Sequence, residues 1–156
     1  MALDALRQFA RIPGWEKRLL LRAILTLGLA RLTLKLLPFE RVRRLITPRP
    51  GAPKHPQIAP LNVRWAIKQA ERVIPDATCL PQAVTAEALL TRAGYPVLLR
   101  IGVTKRDDGR FEAHAWAESN GRIVIGDLPW GLGEFSHLPP LPGAWDRASD
   151  APGSIP

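Results

Sequence analysis

Three residue types that together can perform nucleophilic catalysis occur in the second half of the chain. Cys79 is the only cysteine among 156 residues, and it opens the segment "CLPQAVTAEALLTRAGY". His114 lies in "RFEAHAWAES", and Asp127 ends "GRIVIGD". A thiolate can attack a carbonyl carbon, an imidazole can carry the thiol proton, and a carboxylate can orient the imidazole. These residues are the candidate nucleophile, general base and orienting group.

Cys79 is predicted to stand at the N-terminus of a helix. Apolar residues recur at helical spacing from about residue 79 to 93, Thr78 can cap the start, and Gly94 suits the left-handed position after the end. Proline at position 81 is compatible with a first helical turn. The partial positive charge of a helix N-terminus favours the thiolate form of a cysteine there. A lone cysteine is also common as a small apolar core residue, and this alternative stays open.

His114 and Asp127 lie on either side of "Asn120-Gly121", which predicts a two-residue type I′ hairpin turn. Counting outward from that turn, paired residue numbers sum to 241, so His114 is expected to face Asp127. Directly opposed residues have Cβ atoms about 4.5–5.5 Å apart, within reach of a hydrogen bond. Glu112, on the same strand face as His114, is the alternative partner. A His–Asp pair of this kind can also be purely structural.

Strand alternation places His114 and Trp116 on one face and Ala113, Ala115 and Ala117 on the other. The alanine face predicts close packing against another element, such as the Cys79 helix. If that helix covers the alanine face, His114 points away from Cys79, and the pattern alone leaves the question open.

Two tryptophans are candidate substrate-binding residues. Trp65 is expected to line the cleft, and with the backbone N–H of Cys79 it is a candidate oxyanion donor. Trp116 neighbours His114 and is expected to shield it from water. A core position is favoured over the cleft for Trp65, and packing alone explains Trp116 equally well. The three scattered candidates Cys79, His114 and Asp127 lack zinc-ligand spacing, so no metal or cofactor is expected.

The chain is predicted to be an α+β protein with four regions. Residues 1–46 form an N-terminal helical subdomain with a break at Pro38, and residues 47–60 form a proline-rich linker. Residues 61–135 form the core, in which a helix ended by Pro75 and the Cys79 helix precede three strands joined by "RDDG" and "SNGR" turns. Residues 136–156 are predicted to be an irregular tail.

Charge and composition narrow the function classes. The formal net charge is +8, but no zinc-finger spacing or aromatic RNA-binding signature accompanies it, so nucleic acid is not an expected partner. A single cysteine forms no intramolecular disulfide, no secretory signal fits the N-terminus, and the cytoplasm is the expected compartment.

Residues 19–39 are strongly apolar, but Arg22, Arg31 and Lys35 interrupt them, which favours a buried helix over a membrane span. Contact with a membrane surface is the lesser alternative.

The motifs "ATCLPQAVTAEALLTRAGYPVLLRIGV" and "FEAHAWAESNGRIVIGD" resemble the transglutaminase-like cysteine peptidases that mature lasso peptides. The resemblance covers about residues 65–127. The helical segment upstream of them is similar to the helical region that precedes the catalytic core in that family. It implies a papain-like core in which Cys79 is the nucleophile, His114 the base and Asp127 the orienting residue. It also implies the removal of a leader from a ribosomally made precursor through a thioester.

The resemblance also implies partners. They are the precursor peptide, with its leader and core, and an ATP-dependent cyclase that acts on the exposed amine. Some members carry a fused leader-recognition domain, whereas the N-terminal residues here read as helices. A separate leader-recognition protein is therefore expected. Its candidate docking surfaces are the N-terminal helices and the basic patch formed by "RVRRL" and "TPRPGAPK". Two other classes remain open, a transglutaminase-like acyltransferase or amidase and a non-catalytic peptide-binding adaptor.

Overall fold

The computed structural model describes residues 13–49, 51, 54–129, 131–133 and 135–138. In this part of the chain, helices come first and an antiparallel sheet follows. The elements are α1 (Gly14–Leu36), α2 (Phe39–Ile46), α3 (Pro60–Glu71), α4 (Cys79–Arg92), β1 (Leu98–Lys105), β2 (Phe111–Ser119), β3 (Arg122–Ile125) and β4 (Ser136–His137). The sheet order is β3-β2-β1-β4. This confirms the α+β class. The predicted features at residues 1–12 and 139–156 lie outside the described residues.

The helices begin and end where local chemistry predicts. Pro38 separates α1 from α2 because a proline ring is tolerated at a helix start but not inside one. At the start of α3, the Asn62 side chain accepts a hydrogen bond from the N–H of Ala59 at 2.8 Å. Thr78 occupies the N-cap position of α4 but makes no side-chain capping bond, and Gly94 after its end has φ 82°.

Helix α4 is the centre of the molecule. Every side chain from Pro81 to Thr91 is buried. The helix packs against α1 and α3 on one side and mainly against β2 on the other. Leu19, Ala23 and Leu27 of α1 belong to the same apolar cluster as residues of α3 and α4. The first long helix therefore shares a core with the cysteine-bearing helix.

A buried ion pair joins the short helix α2 to α4. The Arg43 guanidinium donates hydrogen bonds to both carboxylate oxygens of Glu87, at 2.6–3.0 Å. The two side chains are only 7% and 1% exposed. Burying a charge without a partner costs free energy, so each side chain compensates the buried charge of the other. The pair therefore fixes α2 against α4.

The hairpin turn is confirmed, but the predicted strand register is wrong beyond it. Asn120 and Gly121 have φ 51° and 73°, as a type I′ turn requires. Glu118 pairs with Ile123, whereas Ala117 pairs with Ile125, so Val124 is an extra residue on β3. This β-bulge shifts the later residues of the strand by one position. Strand β3 ends at Ile125, and His114 has no ladder partner on that side.

A further short strand lies within the segment predicted to be an irregular tail. The backbone of Ser136–His137 pairs with Val103 and Gly102 of β1. The outer edge of β1 would otherwise expose unpaired backbone groups, and β4 covers part of that edge.

The prediction that α1 is a buried helix is correct for one face only. Leu19, Ala23, Leu27 and Ala30 are buried, whereas five other leucines of the helix are at least half exposed. Among the described residues, no helix is long and apolar enough to cross a membrane.

Candidate active site

Cys79 is the first residue of α4 and is partly exposed. It packs at the margin of an apolar cluster that includes Ala83, Val84 and Ala115. Cys79 is therefore not sealed inside the core, because part of the residue is exposed to solvent. This position suits a nucleophile, since the N–H groups and the dipole of the helix N-terminus stabilise negative charge there.

The segment that leads into Cys79 is held by Gln82, one turn into α4. The Gln82 side-chain amide donates one hydrogen bond to the carbonyl of Ala77 at 2.7 Å and another to the carboxylate of Glu71 at 3.0 Å. Gln82 is buried, so its bond to Ala77 is shielded from water, whereas the bond to Glu71 is partly exposed. They connect the end of α3, the loop before Cys79 and the first turn of α4.

His114 lies on the face of β2 that points away from α4. The register between β1 and β2 is regular, so side chains alternate along β2. Ala115 and Ala117 are buried in the clusters formed with α4. The His114 ring instead contacts the rings of Trp116 and Phe135, with centroid distances of 6.3 and 5.7 Å. The question left open by the alternation pattern thus has an answer: α4 covers the alanine face.

The structure does not bring Cys79 and His114 into contact. Among the described residues, no hydrogen bond joins the sulfur to the imidazole. Cys79 packs against the cluster that contains Ala115, and the alternation along β2 places His114 on the opposite face of that strand. On the side of β3, however, β2 has no paired strand at His114, because β3 ends opposite Ala117. The imidazole therefore sits beyond the end of the neighbouring strand.

The hydrogen-bond partner of His114 is a backbone carbonyl. Its Nε2 lies 2.7 Å from the oxygen of Gly126. Because a carbonyl oxygen only accepts, Nε2 carries a proton, and in the neutral ring Nδ1 is then the basic nitrogen. The direct contact with the Asp127 carboxylate that the hairpin count predicts is not formed, because the bulge at Val124 displaces Asp127 from that position.

Gly126 is a position where no other residue fits well. Its φ is 89°, and a Cβ there would lie 2.7 Å from both the carbonyl oxygen of Ala115 and the Cβ of Trp116. The chain after β3 therefore presses against the backbone of β2 beside His114. This close approach aims the Gly126 carbonyl at the imidazole.

Asp127 is bound by Arg64 of α3. The guanidinium reaches both carboxylate oxygens, with Nη1–Oδ1 and Nη2–Oδ2 distances of 2.9 Å. Arg64 Nη1 also donates to the carbonyl of Val124 at 3.2 Å. Hydrogen bonding from Arg64 lowers the pKa of Asp127 and outweighs the opposing effect of desolvation, and the nearby charges of Arg64 and Lys68 add to the lowering. The carboxylate is therefore ionised well below neutral pH.

The two candidate substrate-binding tryptophans are in different environments. Trp116 is fully buried, and its Nε1 donates to the Glu118 carboxylate at 2.7 Å. In this structure it packs beside His114 and offers no open surface to a substrate. Trp65 is partly buried and packs against the main apolar cluster.

Glu112, the alternative partner of His114, is engaged elsewhere. Its carboxylate accepts a hydrogen bond from Arg106 Nε. That bond lowers the pKa of Glu112, and the charge of His114 makes a smaller contribution in the same direction. Glu112 also lines a cavity of about 810 Å³ together with Phe135, which contacts His114. An open cavity therefore lies on the side of the sheet that carries His114, although His114 does not line it.

Sequence reasoning missed two residues of this region, Arg64 and Gly126. Arg64 lies 63 positions before Asp127, and no local pattern links the two. Gly126 had a visible signal, because a glycine between a strand and a polar residue often marks a close backbone approach. Within the described part of the chain, no three His, Cys, Asp or Glu side chains are grouped as a metal site would require.

The fold defines the class of protein: a helix that begins with a cysteine lies on an antiparallel sheet that carries a histidine and an aspartate on successive segments. Residues 23–139 match the Transglutaminase-like superfamily, and the chain belongs to this superfamily. It includes cysteine peptidases and acyltransferases, and its domains are typically cysteine-dependent enzymes. Neither a curated protein nor a solved structure matches the chain.

Proposed function

We propose that this chain is a cysteine peptidase that removes the leader from a ribosomally synthesised lasso-peptide precursor. The observation that carries the proposal is the superfamily match across residues 23–139, combined with a solvent-reachable Cys79 at the first position of a buried helix. The motifs around Cys79 and His114 support the choice of substrate class, because they resemble the peptidases of lasso-peptide maturation.

In the proposed reaction, the Cys79 thiolate attacks the scissile carbonyl carbon of the precursor after His114 has taken the thiol proton. The tetrahedral intermediate collapses to a thioester, and His114 gives the proton to the departing amine of the core peptide. Water then attacks the thioester, and the leader leaves as a carboxylic acid. Backbone N–H groups at the start of α4, including that of Cys79, are the proposed donors to the oxyanion.

Asp127 is the proposed positioning residue for His114. Arg64 anchors the Asp127 carboxylate, and the adjacent Gly126 carbonyl accepts a hydrogen bond from the N–H at Nε2. This arrangement leaves Nδ1 as the nitrogen that accepts the thiol proton. The reaction requires a state in which the imidazole reaches the sulfur, and the end of β3 beside His114 leaves that edge of β2 without a paired strand.

The test is a cleavage assay with the precursor, this chain and the separate leader-recognition protein, read by mass spectrometry. We expect free leader acid and core amine with the wild-type chain, little cleavage without the recognition protein, and none with Cys79→Ala. Because Cys79 is the only cysteine, a leader-sized mass added to the wild-type chain after acid quenching identifies the thioester site. Full activity of Cys79→Ala would refute the proposal.

The same assay separates peptidase from acyltransferase or amidase. All three pass through a thioester, so the residues of the site do not distinguish them. The product does: a leader joined to an added amine, instead of a free acid, identifies transfer. The ATP-dependent cyclase is a proposed partner in the following step, and adding it should not change the mass of the released leader.

A non-catalytic adaptor is the second candidate, and one observation favours it. Cys79 and His114 lie on opposite sides of β2 in this structure, and Asp127 is bound to Arg64. An adaptor binds the precursor equally well with Cys79→Ala and never forms a thioester. Fluorescence anisotropy with a labelled precursor, measured beside the cleavage assay, tests both statements.

A further inference from the structure

The outward face of α1 carries a continuous row of exposed leucines. Leu21, Leu25, Leu29, Leu32 and Leu36 are 50–73% exposed. They follow one another at intervals of three or four residues, so they lie on one side of the helix. At about 1.5 Å per residue, the row extends for about 22 Å. We call these five residues the leucine stripe.

The stripe is not the usual scatter of single apolar residues on a protein surface. The opposite side of α1 is buried in the core through Leu19, Ala23, Leu27 and Ala30. The helix is therefore apolar on both sides, and a helix of this kind is normally covered on both. A contiguous exposed apolar patch marks an interaction site.

The exposed charged residues that flank the stripe on α1 are positive. Arg18 and Arg22 are exposed near its first leucines, and Lys35 is exposed near its last. Glu16, the single acidic residue of α1, lies about 180° around the helix from the centre of the stripe. On the next helix, Arg41, Arg44 and the 72% exposed Leu45 add further cations and a further leucine, beside one exposed acidic residue, Glu40.

We propose that the leucine stripe docks this protein on the surface of an anionic phospholipid bilayer, with α1 parallel to the membrane plane. When the helix lies flat on the membrane, leucine side chains on its lower side can enter the boundary between headgroups and acyl chains. The long arginine and lysine side chains at both ends can reach the lipid phosphates. One partner, the anionic bilayer, then binds both the leucine stripe and the cationic side chains beside it.

Charge and composition disfavour the other occupants. Two copies paired antiparallel through their stripes would bring Lys35 of each close to Arg18 and Arg22 of the other, with no acidic group on either face. Protein interfaces depend mainly on Trp, Tyr and Arg anchors seated in shaped pockets, whereas the stripe contains leucine alone. A fluid apolar layer accepts leucines without such pockets.

The experiment is co-sedimentation of the full chain with vesicles of phosphatidylcholine, with and without phosphatidylglycerol. We expect binding to the anionic vesicles that weakens as salt is added, and little binding to phosphatidylcholine alone. The variant Leu25→Gln/Leu29→Gln/Leu32→Gln should bind at least about tenfold more weakly. Its control, Leu61→Gln, removes a 77% exposed leucine outside the stripe and should bind like the wild type.

The cationic side chains beside the stripe are tested with a separate matched pair of variants. Arg18→Gln/Arg22→Gln/Lys35→Gln should weaken binding to anionic vesicles about a hundredfold. Lys105→Gln/Arg110→Gln/Arg122→Gln removes the same number of exposed charges from the sheet and its turns, and it should bind nearly as well as the wild type. Circular dichroism and melting temperatures check that all variants are folded, which is expected because every substituted side chain is exposed.

Several outcomes would overturn the proposal. In the first, the wild-type chain fails to bind anionic vesicles at all. In the others, the stripe variant and Leu61→Gln bind equally well, or the two cation variants lose the same amount of vesicle binding. A wild-type dimer in analytical ultracentrifugation that becomes monomeric in the stripe variant identifies a second copy as the occupant. A complex with the leader-recognition protein that only the stripe variant loses identifies that protein. None of these readouts depends on Cys79, so they are independent of the proposed catalysis.

Discussion

Arg64 on α3 holds Asp127, the second residue after β3, through two N–H···O contacts of 2.9 Å. The same guanidinium donates to the carbonyl of Val124 inside β3. Arg64 therefore fixes both sides of Gly126, whose carbonyl accepts a hydrogen bond from Nε2 of His114. A residue that is remote in the sequence thus sets the geometry of the candidate base through the backbone.

The Arg64–Asp127 pair predicts a pH-dependent contribution to stability. The pKa of Asp127 in the folded chain is lowered below its ordinary 3.8, so the contribution is present above that value and is lost as the pH falls through the lowered pKa. Both side chains are partly exposed, 35% for Arg64 and 48% for Asp127, which limits the effect to about 0.5–1 kcal/mol. Asp127→Asn should lower the free energy of urea unfolding by this amount at neutral pH. In strongly acidic buffer, the variant and the wild type should unfold alike.

The control for this prediction is Asp107→Asn, an exposed carboxylate in the "RDDG" turn. It should leave the free energy of unfolding nearly unchanged at both pH values. A wild-type advantage over Asp127→Asn that persists in strong acid would show that the charge of Asp127 is not its source.

Gly126→Ala should destabilise the fold by about 1–3 kcal/mol. The new Cβ would stand 2.7 Å from the Ala115 carbonyl oxygen, and φ 89° is unfavourable for alanine. Gly133→Ala is the matched control, because open space surrounds that position and its φ is not in the left-handed region. Thermal and urea unfolding of both variants provide the measurement. Equal stability of the two variants would contradict the close approach at Gly126.

Breaking the Arg43–Glu87 pair should cost about 3–5 kcal/mol, because either partner alone leaves a buried charge. Glu87→Gln and Arg43→Met are the variants, and loss of both charges together should cost less than the sum of the two. The exposed pair of Lys68 and Glu71, with an Nζ–Oε2 distance of 3.1 Å, is the comparison. Lys68→Gln removes this pair and leaves the bond from Gln82 to Glu71 in place, so it should change the free energy of unfolding by less than about 1 kcal/mol. Similar costs for the two pairs would mean that burial does not govern the first.

His114→Ala should lower leader cleavage by about 10²–10⁴-fold, the usual contribution of a general base. Glu112→Gln should leave cleavage nearly unchanged, since Arg106 occupies its carboxylate. The measurement is the rate of leader release under the conditions of the cleavage assay, with folding checked by circular dichroism. A large loss with Glu112→Gln and none with Asp127→Asn would reassign the orienting role from Asp127 to Glu112.

Local sequence signals determined most of the elements. The Pro38 break, the start of α4 at Cys79, the left-handed Gly94 and the Asn120-Gly121 turn depend on backbone preferences of a few adjacent residues, and all are present in the structure. The α+β order of helices followed by antiparallel strands could be predicted for the same reason.

Tertiary structure decided the features that depend on distant parts of the chain. The bulge at Val124, which moved Asp127 away from His114, is not visible in an alternating strand pattern. The face of β2 that α4 covers, and hence the direction of His114, depends on how whole surfaces pack. Arg64 could be assigned to Asp127 only once α3 lay beside β3. The apolar spacing of α1 predicted burial, but a helix with two apolar sides can place only one of them against its own core.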